Sequence, residues 1–305
     1  MKLAHTIISA LVVGLTGACA VTATAQAPVP LAIEKPKVEV EVVTTKDVTY
    51  KTVEGITEEA KALLKLDIYA PKDAKNLPVL VWFHGGGLTG GDKASRLTAA
   101  LCKALSTEGF VVASANHRLN PQVKYPTYLE DGAAAVAWMK QNAATYGGNP
   151  NQLFIGGHSA GGYLSAQIGT DARYLKSNNV ELSQISGLIP VSGQMTTHYT
   201  IRTERGLPET TIVIDEAAPL YHARKDTPPM LILYGEKDMA LRAEENQYFA
   251  AALKVAGNEW VTCLQMAGRD HGGIIAKMAE SDDPVRREIV KFMKSTVEKK
   301  ANEQN

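Results

Sequence analysis

Five stretches of this chain, Val79–Phe83, Phe110–Ala115, Leu153–Gly156, Leu188–Val191 and Met230–Tyr234, are short and almost unbroken in apolar character. Such runs are the signature of parallel strands covered on both faces. Two earlier stretches, Val38-Glu39-Val40-Glu41-Val42 and Leu64-Lys65-Leu66-Asp67-Ile68, alternate with period two instead. They predict strands with one wet face near a sheet edge. Trp260 to Met266 is the last candidate strand. Between the runs the spacing becomes helical: Leu97, Leu101 and Leu105 follow Ser95, an Ala-rich stretch runs through Val136 and Met139 to Lys140, and Phe249 and Leu253 precede Gly257. Asp283-Pro284 opens the final predicted helix with an acidic cap and a first-turn proline, and Ile289, Phe292, Met293 and Val297 share one of its faces. The alternation predicts an α/β fold: one mostly parallel, doubly wound sheet with helices on both faces. Its functional edge is then the set of loops at the carboxyl ends of the strands.

Length and charge narrow this picture. A chain of 305 residues is long enough for one large core without disulfide staples. Lys plus Arg equal Asp plus Glu at 32 each, so no bulk field draws nucleic acid or an anionic membrane, and neither is an expected partner. Residues 1–25 read as an export signal, with Lys2 as the positive start, Ile7 to Leu15 as the apolar run and Ala23-Thr24-Ala25 as the cleavage site. The chain is therefore expected in the periplasm or outside the cell. The apolar run falls short of the roughly 20 residues of a membrane span, so stable insertion is not expected. Cys19 raises lipid anchoring, but no aliphatic residue stands three positions before it. Pro28, Pro30 and Pro36 make residues 26–37 a linker, and 38–300 form the catalytic domain. Past the signal only Cys102 and Cys263 remain, too sparse for a disulfide scaffold, and they are expected to be buried thiols.

The chemistry is concentrated in three places. Gly157-His158-Ser159-Ala160-Gly161 is a G-x-S-x-G sequence lying between a predicted strand and a predicted helix. A sharp strand-to-helix turn exposes the serine, and the helix amino terminus brings positive dipole to the reacting oxygen. His84-Gly85-Gly86-Gly87 ends the Val79–Phe83 strand, and its glycines allow backbone N–H groups to face a substrate oxyanion. With the amide of Ala160 it makes a two-part oxyanion hole. A serine hydroxyl needs a base. Of the seven histidines, His271 lies in the loop Gly268-Arg269-Asp270-His271-Gly272-Gly273 after the last strand, where it can reach over the sheet edge. The carboxylate at the end of the preceding strand is Asp238, with Glu236 and Asp270 as alternatives. Ser159, Asp238 and His271 then follow the chain order of the α/β-hydrolase triad. Arg118 and Asp131 are expected to pair and brace the loop beneath the nucleophile.

With these residues in place, the chain resembles the hormone-sensitive-lipase-like and feruloyl- or acetyl-esterase-like branches of the α/β hydrolases. The likeness rests on Leu66-Asp67-Ile68-Tyr69, His84-Gly85-Gly86-Gly87, Gly91-Asp92-Lys93, His117-Arg118-Leu119, Gly157-His158-Ser159-Ala160-Gly161-Gly162, Gly235-Glu236-Lys237-Asp238 and Asp270-His271. It implies that Gly86, Gly87 and Ala160 supply the oxyanion amides, and it implies no metal or organic cofactor. Leu88 stands where many relatives carry Trp, and that departure bears on the acyl pocket. Residues 194–220 are expected to form a short lid insertion. Leu88, His158, Tyr199, Arg202 and Leu207 are candidate substrate contacts. The expected substrates are soluble esters with short acyl groups or esters linked to a polysaccharide. Rival readings are a serine peptidase, a non-catalytic binding protein on the same scaffold and a structural envelope protein. Residues 26–60 leave no room for the large extra domain of the commonest similar peptidases, and no triad member is missing.

Overall fold

A computed structural model describes residues 40–303. The predicted signal, Cys19 and the linker lie outside the described residues. Eight strands form one sheet: β1 (Val42–Thr49), β2 (Lys65–Pro71), β3 (Leu77–Phe83), β4 (Val111–Ala115), β5 (Gly148–His158), β6 (Ile185–Val191), β7 (Met230–Lys237) and β8 (Val261–Asp270). Their spatial order is β1-β2-β4-β3-β5-β6-β7-β8. β1 and β2 run antiparallel and every later pairing is parallel apart from β2 with β4. The helices are α1 (Glu58–Ala62), α2 (Arg96–Thr107), α3 (Thr127–Asn142), α4 (Ala160–Thr170), α5 (Ala172–Lys176), α6 (Tyr199–Glu204), α7 (Arg242–Val255), α8 (Gly273–Ala276) and α9 (Pro284–Glu303).

The period of two in β3 divides its side chains between two cores. Val79, Val81 and Phe83 pack with residues of α3, α4 and α7, whereas Leu80 and Trp82 pack with residues of α2, α8 and α9. This is the predicted layering, with parallel strands sealed on both faces. Helix ends follow the sequence cues: Ser95 Oγ accepts from Thr98 N at the start of α2, and Asp283 Oδ1 accepts from Val285 N and Arg286 N ahead of α9. Cys102 and Cys263 are both free thiols. Cys102 belongs to the α2 core and Cys263 packs against the other, half-buried rather than buried as expected.

Three strand expectations require correction. Of the described part of the Val38–Val42 alternation only Val42 enters β1, where pairing with β2 starts opposite Pro71; Val38 and Glu39 lie outside the described residues. The alternation in β2 marks no wet face: Asp67 is fully buried, and its carboxylate accepts from Lys93 Nζ and from Asp47 N. An isolated polar position signals solvent only when no cation from a distant loop covers it. Finally, β8 continues to Asp270, paired with Lys237 after an irregularity in β7. His271 therefore sits at the end of a strand, not in the middle of a loop. The expected brace is present, since Arg118 Nε and Nη2 donate to Asp131 at 2.7 and 2.8 Å. Arg118 N and Lys51 Nζ also donate to the same buried carboxylate. No helix among the described residues is long and apolar enough to cross a membrane.

Candidate active site

The carboxyl ends of β3, β5, β7 and β8 bring the three motifs together. Ser159 connects β5 to α4 with φ 57° and ψ −118°, a backbone conformation that costs a non-glycine residue free energy. Its amide donates to Val191 O at the end of β6, and its carbonyl accepts from Tyr163 N in α4, so the turn is held from both sides. The flanking glycines are needed for space: a Cβ at Gly157 would overlap the Gly161 carbonyl, and one at Gly161 would overlap the Phe83 carbonyl.

His271 Nε2 lies 2.8 Å from Ser159 Oγ, and His271 Nδ1 lies 2.6 Å from Asp238 Oδ1. A carboxylate only accepts, so Nδ1 carries the ring hydrogen and Nε2 is free to accept from the serine hydroxyl. The Asp238 side chain is almost wholly buried. Burial alone would raise its carboxyl, but hydrogen bonds from His271, Ser192 Oγ and the amides of Gly235 and Met239 more than reverse this and hold it well below the usual carboxylate range. It therefore stays ionised through ordinary acid conditions.

Glu236 and Asp270 are occupied elsewhere. Glu236 Oε2 accepts from Gly268 N across β7 and β8, and Asp270 Oδ1 accepts from Gly273 N in the turn before α8. Two further residues support the triad: Ser192, which escaped the sequence reading, and His158, which was expected only as a substrate contact. Ser192, which follows β6 with φ 49°, donates to Asp238 Oδ2 at 2.5 Å. Its only signal in the sequence is its place after an apolar run. His158 Nε2 is 2.8 Å from the carbonyl of His271, so this nitrogen carries a hydrogen and anchors the backbone that bears the neighbouring ring. Burial, assisted by the nearby His271, pushes the His158 imidazole down to about 3, which keeps it neutral.

Gly85, Gly86 and Gly87 border a cavity of about 430 Å³ together with Ser159, His271 and Tyr199. A Cβ at Gly85 would lie 3.2 Å from Ser159 Cβ, which measures how closely this loop approaches the nucleophile. Gly86 and Gly87 adopt φ 120° and 66°, conformations open to glycine. Ala160 is the first residue of α4, where backbone amides have no intrahelical acceptor. The glycine loop and the start of α4 thus lie beside Ser159 at the edge of the cavity.

The expected substrate contacts divide. Tyr199 and His158 line the cavity. Leu88 does not: with φ 61° it turns away from the glycine loop and is fully buried in the core. Arg202 is also buried, with Nη1 donating to Thr211 O, and Leu207 lies exposed outside the cavity. Residues 194–220, expected as a lid, are tied down as a wall. Thr200 Oγ1 donates to Gly87 O at 2.5 Å, Glu204 accepts from Asn120 and from the Tyr125 amide, and Thr197 N donates to Val213 O.

Comparison with known proteins agrees with this architecture. The family model described as BD-FAE matches residues 66–253. Esterase LipC of Mycobacterium tuberculosis is 27% identical over 68% of this chain and 56% of its own length. The chain spans about half the length of curated relatives such as this one. Among solved structures, a truncated form of a carbohydrate esterase from gut microbiota superimposes with a TM-score of 0.69 at 20% identity, covering 83% of this chain and 96% of that one. Esterase 2 of Thermogutta terrifontis, phosphorylated by paraoxon, gives a TM-score of 0.62 at 24% identity over 86% of this chain and 94% of that one. These likenesses establish the α/β-hydrolase fold.

Proposed function

Since the chain belongs to the BD-FAE family of α/β-hydrolase-fold proteins, we propose that it is a serine carboxylesterase in which Ser159 is the nucleophile, His271 the base and Asp238 the orienting acid. The observation that carries this reading is the continuous hydrogen-bonded line from Ser159 Oγ through both ring nitrogens of His271 to Asp238. Ser159 Oγ attacks the ester carbonyl carbon as its proton passes to His271 Nε2. The oxyanion is met by the amides of Gly86, Gly87 and Ala160. Collapse breaks the bond to the alcohol oxygen, which leaves with the proton from His271. Water, deprotonated by the same ring, then attacks the acyl-enzyme and releases the acid. Asp238 stays a carboxylate throughout and stabilises the imidazolium.

The substrates in this proposal are esters of short acyl groups or compact aromatic acids, including esters linked to carbohydrate. The small cavity supports this, as does the likeness to a carbohydrate esterase. Export through residues 1–25 is part of the same proposal. It places the enzyme among esterified polymers and their fragments. A series of p-nitrophenyl acyl esters tests the pocket. Each accommodated methylene adds about 1 to 3 kcal/mol until the pocket is full, so kcat/KM should rise from acetate, then fall beyond roughly C6 to C8. Palmitate turned over faster than butyrate, with a sharp rise once substrate forms micelles, would overturn the small-pocket reading.

A further inference from the structure

Arg242 opens α7, four residues after Asp238, and only 5% of it is exposed. Its position is electrostatically costly. The amino terminus of a helix is the positive end of its dipole, so a guanidinium at the first residue is repelled there. A second buried arginine, Arg202, adds like charge. Burial pulls the Arg242 guanidinium below its ordinary value, and the nearby Glu245, Asp238 and Tyr199 oppose that only in part. An arginine nevertheless keeps its charge in proteins.

A buried cation is normally paired, yet Arg242 makes no ion pair among the described residues. Its Nε and Nη1 are buried without a hydrogen-bond partner, and Nη2 has only the Met239 sulfur at 4.0 Å. Both nearby carboxylates are already committed. Glu245 Oε2 accepts from Met195 N and its Oε1 from Thr196 Oγ1, while Asp238 divides its oxygens among His271, Ser192, Gly235 and Met239. Donors this strong and this short of acceptors point to an anion supplied from outside. The direction of supply is visible too. Met239, its only side-chain partner, is half-exposed and lines the catalytic cavity beside Tyr199. Arg242 itself does not line that cavity; the residue its guanidinium touches does, and methionine is flexible and unbranched.

We propose that Arg242 is a specificity-determining residue that binds a carboxylate carried by the ester substrate, so that monoesters of dicarboxylic acids, or acyl esters of hydroxy acids, are preferred over neutral esters of the same shape. This rests on the carboxylesterase reading. The test measures acid release by the full chain at constant pH from two matched pairs. Monoethyl succinate and ethyl levulinate differ by a carboxylate for an acetyl group on the acid part, and 4-acetoxybutanoate and 5-acetoxypentan-2-one do so on the alcohol part. A hydrogen-bonded ion pair predicts that kcat/KM for the anionic member of one pair exceeds its neutral partner by about ten- to a hundredfold, and the favoured pair tells which part of the ester faces Arg242. In Arg242→Met that ratio should fall to about one. Two results overturn the inference while leaving the esterase reading intact: turnover of the neutral esters with no anionic preference in either pair, or a preference that persists undiminished in Arg242→Met. Failure on all four esters by a chain that still hydrolyses p-nitrophenyl acetate overturns the inference alone, and failure on p-nitrophenyl acetate as well removes both readings. Absence of an anionic preference in the wild-type chain overturns the inference even if Arg242→Met does not fold, and Arg242→Lys, which keeps the charge and loses the guanidinium fork, then carries the second arm: its ratio should fall below the wild-type value, and an unchanged ratio overturns the inference.

Discussion

Ser159→Ala should leave a folded protein that hydrolyses p-nitrophenyl acetate on the order of 10⁵ to 10⁶ more slowly in kcat, because nucleophile and base act as one unit. The fold should survive for a structural reason. Among the described residues the Ser159 hydroxyl bonds only to His271, while the turn itself is held by backbone bonds to Val191 and Tyr163 and by the glycines around it. Alanine has the same Cβ and meets the same backbone constraint. Kinetics and a thermal melt on one preparation check both halves of the expectation. A folded variant with near-normal rate would remove Ser159 from the mechanism.

Asp238→Asn should slow turnover on the order of 10⁴. The carboxylate accepts from four donors, His271 Nδ1, Ser192 Oγ, Gly235 N and Met239 N. An amide nitrogen in place of either oxygen presents hydrogens to at least one of these donors. Facing His271, it favours the wrong ring tautomer, with the hydrogen on Nε2 where the serine proton must go. Glu236→Gln and Asp270→Asn should cost far less, since those side chains accept from the backbone amides of Gly268 and Gly273 and not from the histidine. The ranking of the three variants in kcat/KM is the measurement. Were Asp270→Asn the most damaging, the acid would belong on the β8 side of the site.

The features legible in the sequence are those whose physics is local. Continuous apolar runs identified the central strands because a parallel strand covered on both faces has no polar face to show. Ser159 was visible because a strained strand-to-helix turn demands glycines at fixed offsets. His271 and Asp238 were visible from their places at strand ends, and the structure brings both to Ser159. What the sequence concealed depends on distant partners. Asp67 looked like a wet position because nothing nearby in sequence announces Lys93 as its cation. Leu88 looked like a pocket residue because it follows the glycine loop, but a positive φ turns it into the core. Ser192 and His158 support Asp238 and His271 through contacts that span 46 and 113 positions, and no spacing rule reaches so far. The 194–220 segment read as a lid from its length alone. Its anchoring to Gly87 and to the amide of Tyr125 could not be seen without the fold.

The central claim is that the Ser159 hydroxyl, activated by His271, is the nucleophile. Paraoxon, which phosphorylates the structurally similar Thermogutta terrifontis esterase 2, tests it without assuming any natural substrate. After treatment of the folded chain, peptide mass spectrometry should find one diethylphosphoryl group on Ser159, appearing in step with loss of ester hydrolysis and absent from His271→Ala. A label on another serine that tracks the loss of activity, or full inactivation with Ser159 unmodified, would contradict the account.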